Sequence, residues 1–133
     1  MAAAVADWRV TSASDRKIKK DGSGRPPALE MAENPDILAW LSRDEARPRL
    51  VVGFAAETGD AQKSALDYAQ EKFARKGCDV LMANEVGRGK TFGQKSNEGW
   101  ILRPGSAPQR VEHGSKQVVA AQILSAVNEM FHG

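Results

Sequence analysis

Apolar positions along the chain fall into short runs and helical stripes, never into one long tract. Arg49 to Ala56 (RLVVGFAA) is a continuous apolar run, as expected of a central buried strand. Asp79 to Ala83 (DVLMA) is a second. Between them Ala61, Ala65, Leu66, Ala69 and Phe73 recur at helical spacing. They predict a helix capped by Thr58 or Asp60, ending near Lys76 and stopped by Gly77. Ser115 caps a last amphipathic helix with the stripe Val119, Ile123, Val127 and Met130. Trp100 to Leu102 and Arg110 to Glu112 flank a Pro104–Pro108 turn and read as a hairpin. Asn34-Pro35-Asp36 opens a short helix over about 35–43, with Asn34 as N-cap, Pro35 at its first position and Ile37, Leu38 and Leu41 as its apolar face. Ala28 to Met31 predicts a short strand. Residues 2–10 (AAAVADWRV) read as the tail of a buried strand. Residues 11–27 show no periodicity and predict a long mobile loop, a length usual for functional lids or disordered segments.

Alternating helices and buried strands argue for an α/β fold, a mostly parallel sheet covered by helices, with an antiparallel hairpin at one edge. In such sheets ligands bind at the carboxyl ends of the strands. The loops there are 7–27, 54–60 and 84–97.

Composition narrows the function classes. The chain has 133 residues, and 19 Lys+Arg against 17 Asp+Glu leave a net charge of +2. Such a balance does not argue for nucleic acid or a membrane surface, so electrostatic function has to come from local clusters. No apolar run approaches a membrane span. The single cysteine, Cys78, permits no internal disulfide and no cysteine-based zinc site, and this usage fits a reducing cytoplasm.

Three clusters invite a chemical reading. Lys17-Ile18-Lys19-Lys20 concentrates positive charge on the 11–27 loop, where a lid could deliver it to a polyphosphate. A solvated basic loop is the ordinary alternative. The helix start at 34–38 offers N–H groups to a phosphate or a base edge, and an ordinary capped helix explains it equally well. Lys72 and Lys76 fall inside the apolar arc of the 61–76 helix, where lysines serving only solubility would sit opposite. Either they reach into a cleft, or they snorkel at a helix C-terminus. Gly89-Lys90-Thr91 imitates a phosphate loop, but position 84 is Asn where that motif needs glycine, and no helix follows. His113 and His132 lack partners at ligand spacing. Cys78 reads as a small core residue. Asp7 ends a predicted strand, where a carboxylate can meet a ribose hydroxyl or Mg²⁺.

Taken in order, AAVADWR (3–9), KIKK (17–20), NPDIL (34–38), VVGFAAET (51–58), QEKFARKGCD (70–79) and LMANEV (81–86) resemble bacterial phosphopantothenate–cysteine ligase, over nearly the whole chain. The resemblance implies a Rossmann-like three-layer α/β/α fold and a homodimer. It implies that CTP, with Mg²⁺, activates the carboxylate of 4'-phosphopantothenate as an acyl-cytidylate, from which the amine of L-cysteine displaces CMP. The positions matching the family's CTP site are Ala2, Ala3, Asp7, Lys17, Pro35, Asp36, Ile37, Leu38, Phe54, Lys72 and Lys76. Lys17 is the expected catalytic cation, Phe54 the packing surface for base or sugar, and Asp7 the one candidate metal ligand. The family's glycine-rich segment, with its pantothenate contacts, is not among these residues. The chain is therefore expected to be the C-terminal part of a ligase domain, residues 1–133, needing an N-terminal segment or decarboxylase domain as partner. The competing expectation is an inactive fragment or interaction module.

Overall fold

The computed structural model of the chain describes residues 6–12, 18–87 and 97–133. It divides into two compact units, Ala3–Asp36 and Ile37–Gly133.

In the first unit, β1 (Trp8–Val10) pairs antiparallel with β2 (Met31–Glu33). β1 is exposed along its whole length, with Trp8 57% accessible, so over its described part, 6–10, the expected buried strand is a surface ribbon; residues 2–5 lie outside the described residues. Polar groups close the ribbon instead of a core. Asn34 donates from its amide to the Ala6 carbonyl at 2.7 Å, and Arg9 donates to the Glu33 carbonyl at 2.8 Å and to Asn34 Oδ1 at 3.1 Å. Asn34 is thereby spent on the ribbon and does not cap the helix that follows. The strand expected at 28–31 forms instead at Met31–Glu33, and residues 18–30 form neither strand nor helix.

The second unit is a four-stranded sheet in the order β3–β4–β5–β6, comprising β3 (Val52–Glu57), β4 (Val80–Glu85), β5 (Asn97–Leu102) and β6 (Gln109–Gly114). β3 and β4 are parallel, joined by α2 (Ala65–Lys76); the β4–β5 and β5–β6 pairs are antiparallel. The α/β class and the hairpin edge are as expected. The share of parallel pairing is smaller, because β5 returns alongside β4 instead of crossing over. Helices cover both faces. α1 (Ile37–Arg43) and α2 pack on one through Leu38, Leu41, Leu66, Ala69 and Phe73, against Val51, Ala55, Leu81, Ala83 and Leu102. α3 (Lys116–His132) packs on the other through Val119, Ile123, Ala126, Val127 and Met130, against Val80, Met82, Ile101 and Val111. The alternation of strand residues thus resolves into the expected three layers.

Local chemistry fixes the joints. Gly53 lets α1 approach: a Cβ there would sit 2.5 Å from Leu38 Cδ2. Gly99 faces the Ala83 carbonyl so closely that no side chain fits. The Asp79 carboxylate accepts from Val51 N at 2.7 Å and pairs with Arg47, tying the starts of β3 and β4. Gly77 ends α2 in the left-handed conformation, φ 72°, its N–H bonded to the Phe73 carbonyl. Ser115 caps α3 as expected.

Candidate functional site

The carboxyl ends of β3 and β4 are bound together. Val86 N–H donates to the Glu57 carbonyl at 2.8 Å, and the Thr58 hydroxyl donates to the Val86 carbonyl at 2.7 Å. Thr58 therefore links two strand ends and does not cap α2. That role belongs to Ser64, which accepts from Asp67 N while the Asp67 carboxylate accepts from Ser64 N, a reciprocal capping box. Asp60 also misses the cap. It accepts from Gln62 N, Lys63 N and the Tyr68 hydroxyl, folding the 58–64 loop back onto the first turn of α2. The Tyr68 hydroxyl is the main influence lowering the Asp60 pKa below its ordinary value; the Ser64 side chain does the same for Asp67. Ala61 lies before the helix.

Within α2 the spacing Ala65, Ala69, Lys72, Lys76 traces the sheet-facing stripe, with both alanines buried. Lys72 follows that stripe inward and forms an ion pair with Glu57, the last residue of β3. The Glu57 side chain is 13% exposed and that of Lys72 28%. Glu57 Oε1 is enclosed and meets the ammonium as a charge contact, without a donor in regular hydrogen-bond geometry. Removing one partner of such a partly buried pair strands the other charge. Lys76, a turn further on, is half-buried.

Phe54 lies on the opposite face of β3. Its neighbours Gly53 and Ala55 point into the α2 layer, while Phe54 itself is 46% exposed. Among the described residues β3 is an edge strand, with Phe54 and Lys72 on opposite faces of it. Pro35 and Asp36 are exposed and belong to the first unit; Ile37 is exposed and Leu38 buried in the core of the second. The 34–38 stretch thus runs from the first unit into the second, where the Leu38 side chain packs in the core. Asp7 is exposed just before β1. Ala2, Ala3, Lys17, and the Gly89-Lys90-Thr91 segment lie outside the described residues. Among the described residues no three His, Cys, Asp or Glu side chains cluster as a metal site, and no helix is long and apolar enough to cross a membrane. Cys78 is buried, and burial raises its thiol pKa, as for a core residue.

Glu57 escaped the sequence reading. The signal was there: Val51, Gly53, Ala55 and Glu57 share one face by strand alternation, and the helix covering that face carries an inward lysine.

Comparison with known proteins places these features. The family described as the DNA/pantothenate metabolism flavoprotein C-terminal domain matches residues 1–131. The coenzyme A biosynthesis bifunctional protein CoaBC of Mycobacterium tuberculosis (strain ATCC 25618 / H37Rv) is 45% identical over 132 residues, covering 96% of this chain and 31% of the relative. Its counterpart from Haemophilus influenzae is 33% identical over 129 residues, covering 97% and 30%. The chain thus spans about a third of the length of these curated relatives. Among solved structures, the C-terminal domain of a CoaBC protein superposes with a TM-score of 0.66 at 24% identity, over 98% of this chain and 52% of that one. The DNA/pantothenate metabolism flavoprotein from Streptococcus pneumoniae gives 0.59 at 14% identity, over 77% and 42%. These two likenesses concern the fold.

Proposed function

The chain belongs to the DNA/pantothenate metabolism flavoprotein C-terminal domain family, and from that premise we propose that it is the CTP-binding part of a coenzyme A pathway ligase. The ligase joins 4'-phosphopantothenate to L-cysteine. The pantothenate carboxylate attacks the α-phosphorus of CTP, pyrophosphate leaves, and cysteine's amine then displaces CMP from the acyl-cytidylate. The names of the relatives, coenzyme A biosynthesis bifunctional proteins, support the pathway.

The observation that carries the nucleotide reading is Lys72. A lysine on the buried stripe of a helix, turned toward the carboxyl end of a strand, is where an open α/β sheet presents charge to a ligand. There its ammonium neutralises phosphate, with Lys76 as a further cation from the same helix. Lys17 supplies the charge that stabilises departing pyrophosphate. Phe54 offers an exposed aromatic face at the strand edge for base or sugar. The family resemblance adds Ala2, Ala3, Asp7 and the 35–38 stretch as further expected nucleotide contacts. Mg²⁺ enters as the counter-ion of the triphosphate, with Asp7 as candidate ligand. In this reading the ligase works as a homodimer, in company with an N-terminal segment or decarboxylase domain.

The test is a titration of the chain with CTP and with ATP. Saturable binding that prefers CTP is the expected result. A second reading, an interaction module without catalysis, draws on the edge of β3, which no other strand among the described residues covers, and on the exposed Phe54 beside it. Absence of binding to either nucleotide favours that reading and rejects the first.

A further inference from the structure

Glu57 is outside the set of expected nucleotide contacts, yet it is the side chain that Lys72 meets. We propose that Glu57 is a positioning residue: its enclosed carboxylate holds the Lys72 ammonium at the carboxyl end of β3, so that a nucleotide phosphate meets a cation already in place. The inference rests on the reading of the site as a nucleotide site.

Burial decides between holding and competing. If a phosphate pulled Lys72 away, it would leave the Glu57 carboxylate, 13% exposed, without a counter-charge. An ammonium carries three donors, and Lys72 keeps 28% of its side chain in contact with solvent. Lys72 meets Glu57 as a charge contact, and its donors remain for an incoming anion, so both anions share the cation. The root of the carboxylate is fixed as well. The Glu57 carbonyl accepts from Val86 N at 2.8 Å, and Thr58 reaches the Val86 carbonyl, so Glu57 cannot drift relative to β4. A lysine stem has four rotatable bonds, and an anchored partner removes much of that freedom before the ligand arrives.

Simple charge counting gives the opposite sign. A carboxylate beside an anion site repels the anion, so its neutralisation strengthens binding. Positioning requires that neutralisation weaken it. Calorimetric titration of CTP into the full chain separates the two, using the wild type, Glu57→Gln, Glu57→Asp, Lys72→Met and the Glu57→Gln/Lys72→Met double variant, with circular dichroism as the check on folding. Glu57→Gln is expected to weaken CTP binding about fivefold, and Glu57→Asp about threefold through the shortened arm. In the Lys72→Met background, Glu57→Gln is expected to change it by less than about twofold, because its effect passes through the lysine. Unchanged or tighter binding by folded Glu57→Gln overturns the inference. Should that variant not fold, wild-type affinity in Glu57→Asp overturns it equally. Binding that depends on Lys72 but not on Glu57 defeats this inference alone. A wild type that binds no CTP defeats the nucleotide reading and this inference with it.

Discussion

The two faces of the sheet are built from different materials. Beneath α3 the layer is aliphatic throughout: Val80, Met82, Ile101 and Val111 meet Val119, Ile123, Ala126 and Met130. Beneath α2 the helix combines small buried residues, Ala65 and Ala69, with the partly buried Leu66 and Phe73, and the alanine stripe runs on into Lys72 and its partner Glu57. Large aliphatic side chains maximise the surface removed from water. Small ones give up part of that stabilisation but bring the helix backbone close, which allows a lysine stem to reach the end of the neighbouring strand. Both faces bury a core cluster that supports the fold, and the α2 face in addition places a lysine against the end of β3.

The largest expected effect lies on the α3 face. Ile101 is fully buried at the centre of the α3 layer. Ile101→Ala should lower stability in urea denaturation by about 3 kcal/mol, while the affinity of the remaining folded protein for CTP stays as in the wild type. A comparable loss of CTP affinity would erase the division between the faces.

The charged face should respond less, and in a pairwise way. Lys72→Met strands Glu57 and should cost about 1–2 kcal/mol, reduced from the fully buried case because both side chains keep some solvent contact. Adding Glu57→Gln should recover more than half of that loss. Additive losses would mean that the two residues do not act as a pair.

Smaller still is the cap. Ser64→Ala removes the acceptor for Asp67 N and should cost about 1 kcal/mol, read from the same denaturation curves.

The mildest effect is on acid stability. The pKa values of Asp60 and Asp67 lie below their ordinary value of 3.8 in the folded chain, so the folded state binds protons less readily than the unfolded one. Their contribution is complete above about pH 4 and fades as the pH falls through the depressed values. Tyr68 is shifted upward from 10.0 by its bond to Asp60, so its contribution holds below pH 10 and fades above. Thermal melts across this range should show the α2 end loosening at both extremes. Melts of Asp60→Asn that kept the wild-type acid profile would count against Asp60 as a contributor.

The same contrast explains what the sequence made legible. Gly77 as the stop of α2, Ser115 as the cap of α3, the α3 stripe and the hairpin all follow from rules acting within a few residues, and all appear in the structure. The cap of α2, expected at Thr58 or Asp60, falls at Ser64 instead, and all three are suitable residue types. Only the box formed by Ser64 with Asp67 three residues on separates them. The exposure of β1 was not legible, because apolar Trp8 and Val10 look like a buried strand until their partner, two dozen residues away, proves to be a surface strand. The share of parallel pairing was likewise set by a non-local choice, the return of β5 alongside β4. Of the candidate site, the inward turn of Lys72 was readable from periodicity, but the carboxylate it meets required two elements to be considered together.

The central claim is that Lys72 meets a nucleotide phosphate. Calorimetric titration of CTP into wild-type chain and Lys72→Ala, side by side at low ionic strength, tests it most directly. The account predicts an affinity about tenfold weaker or worse in the variant; equal affinities, with both proteins folded, would contradict it.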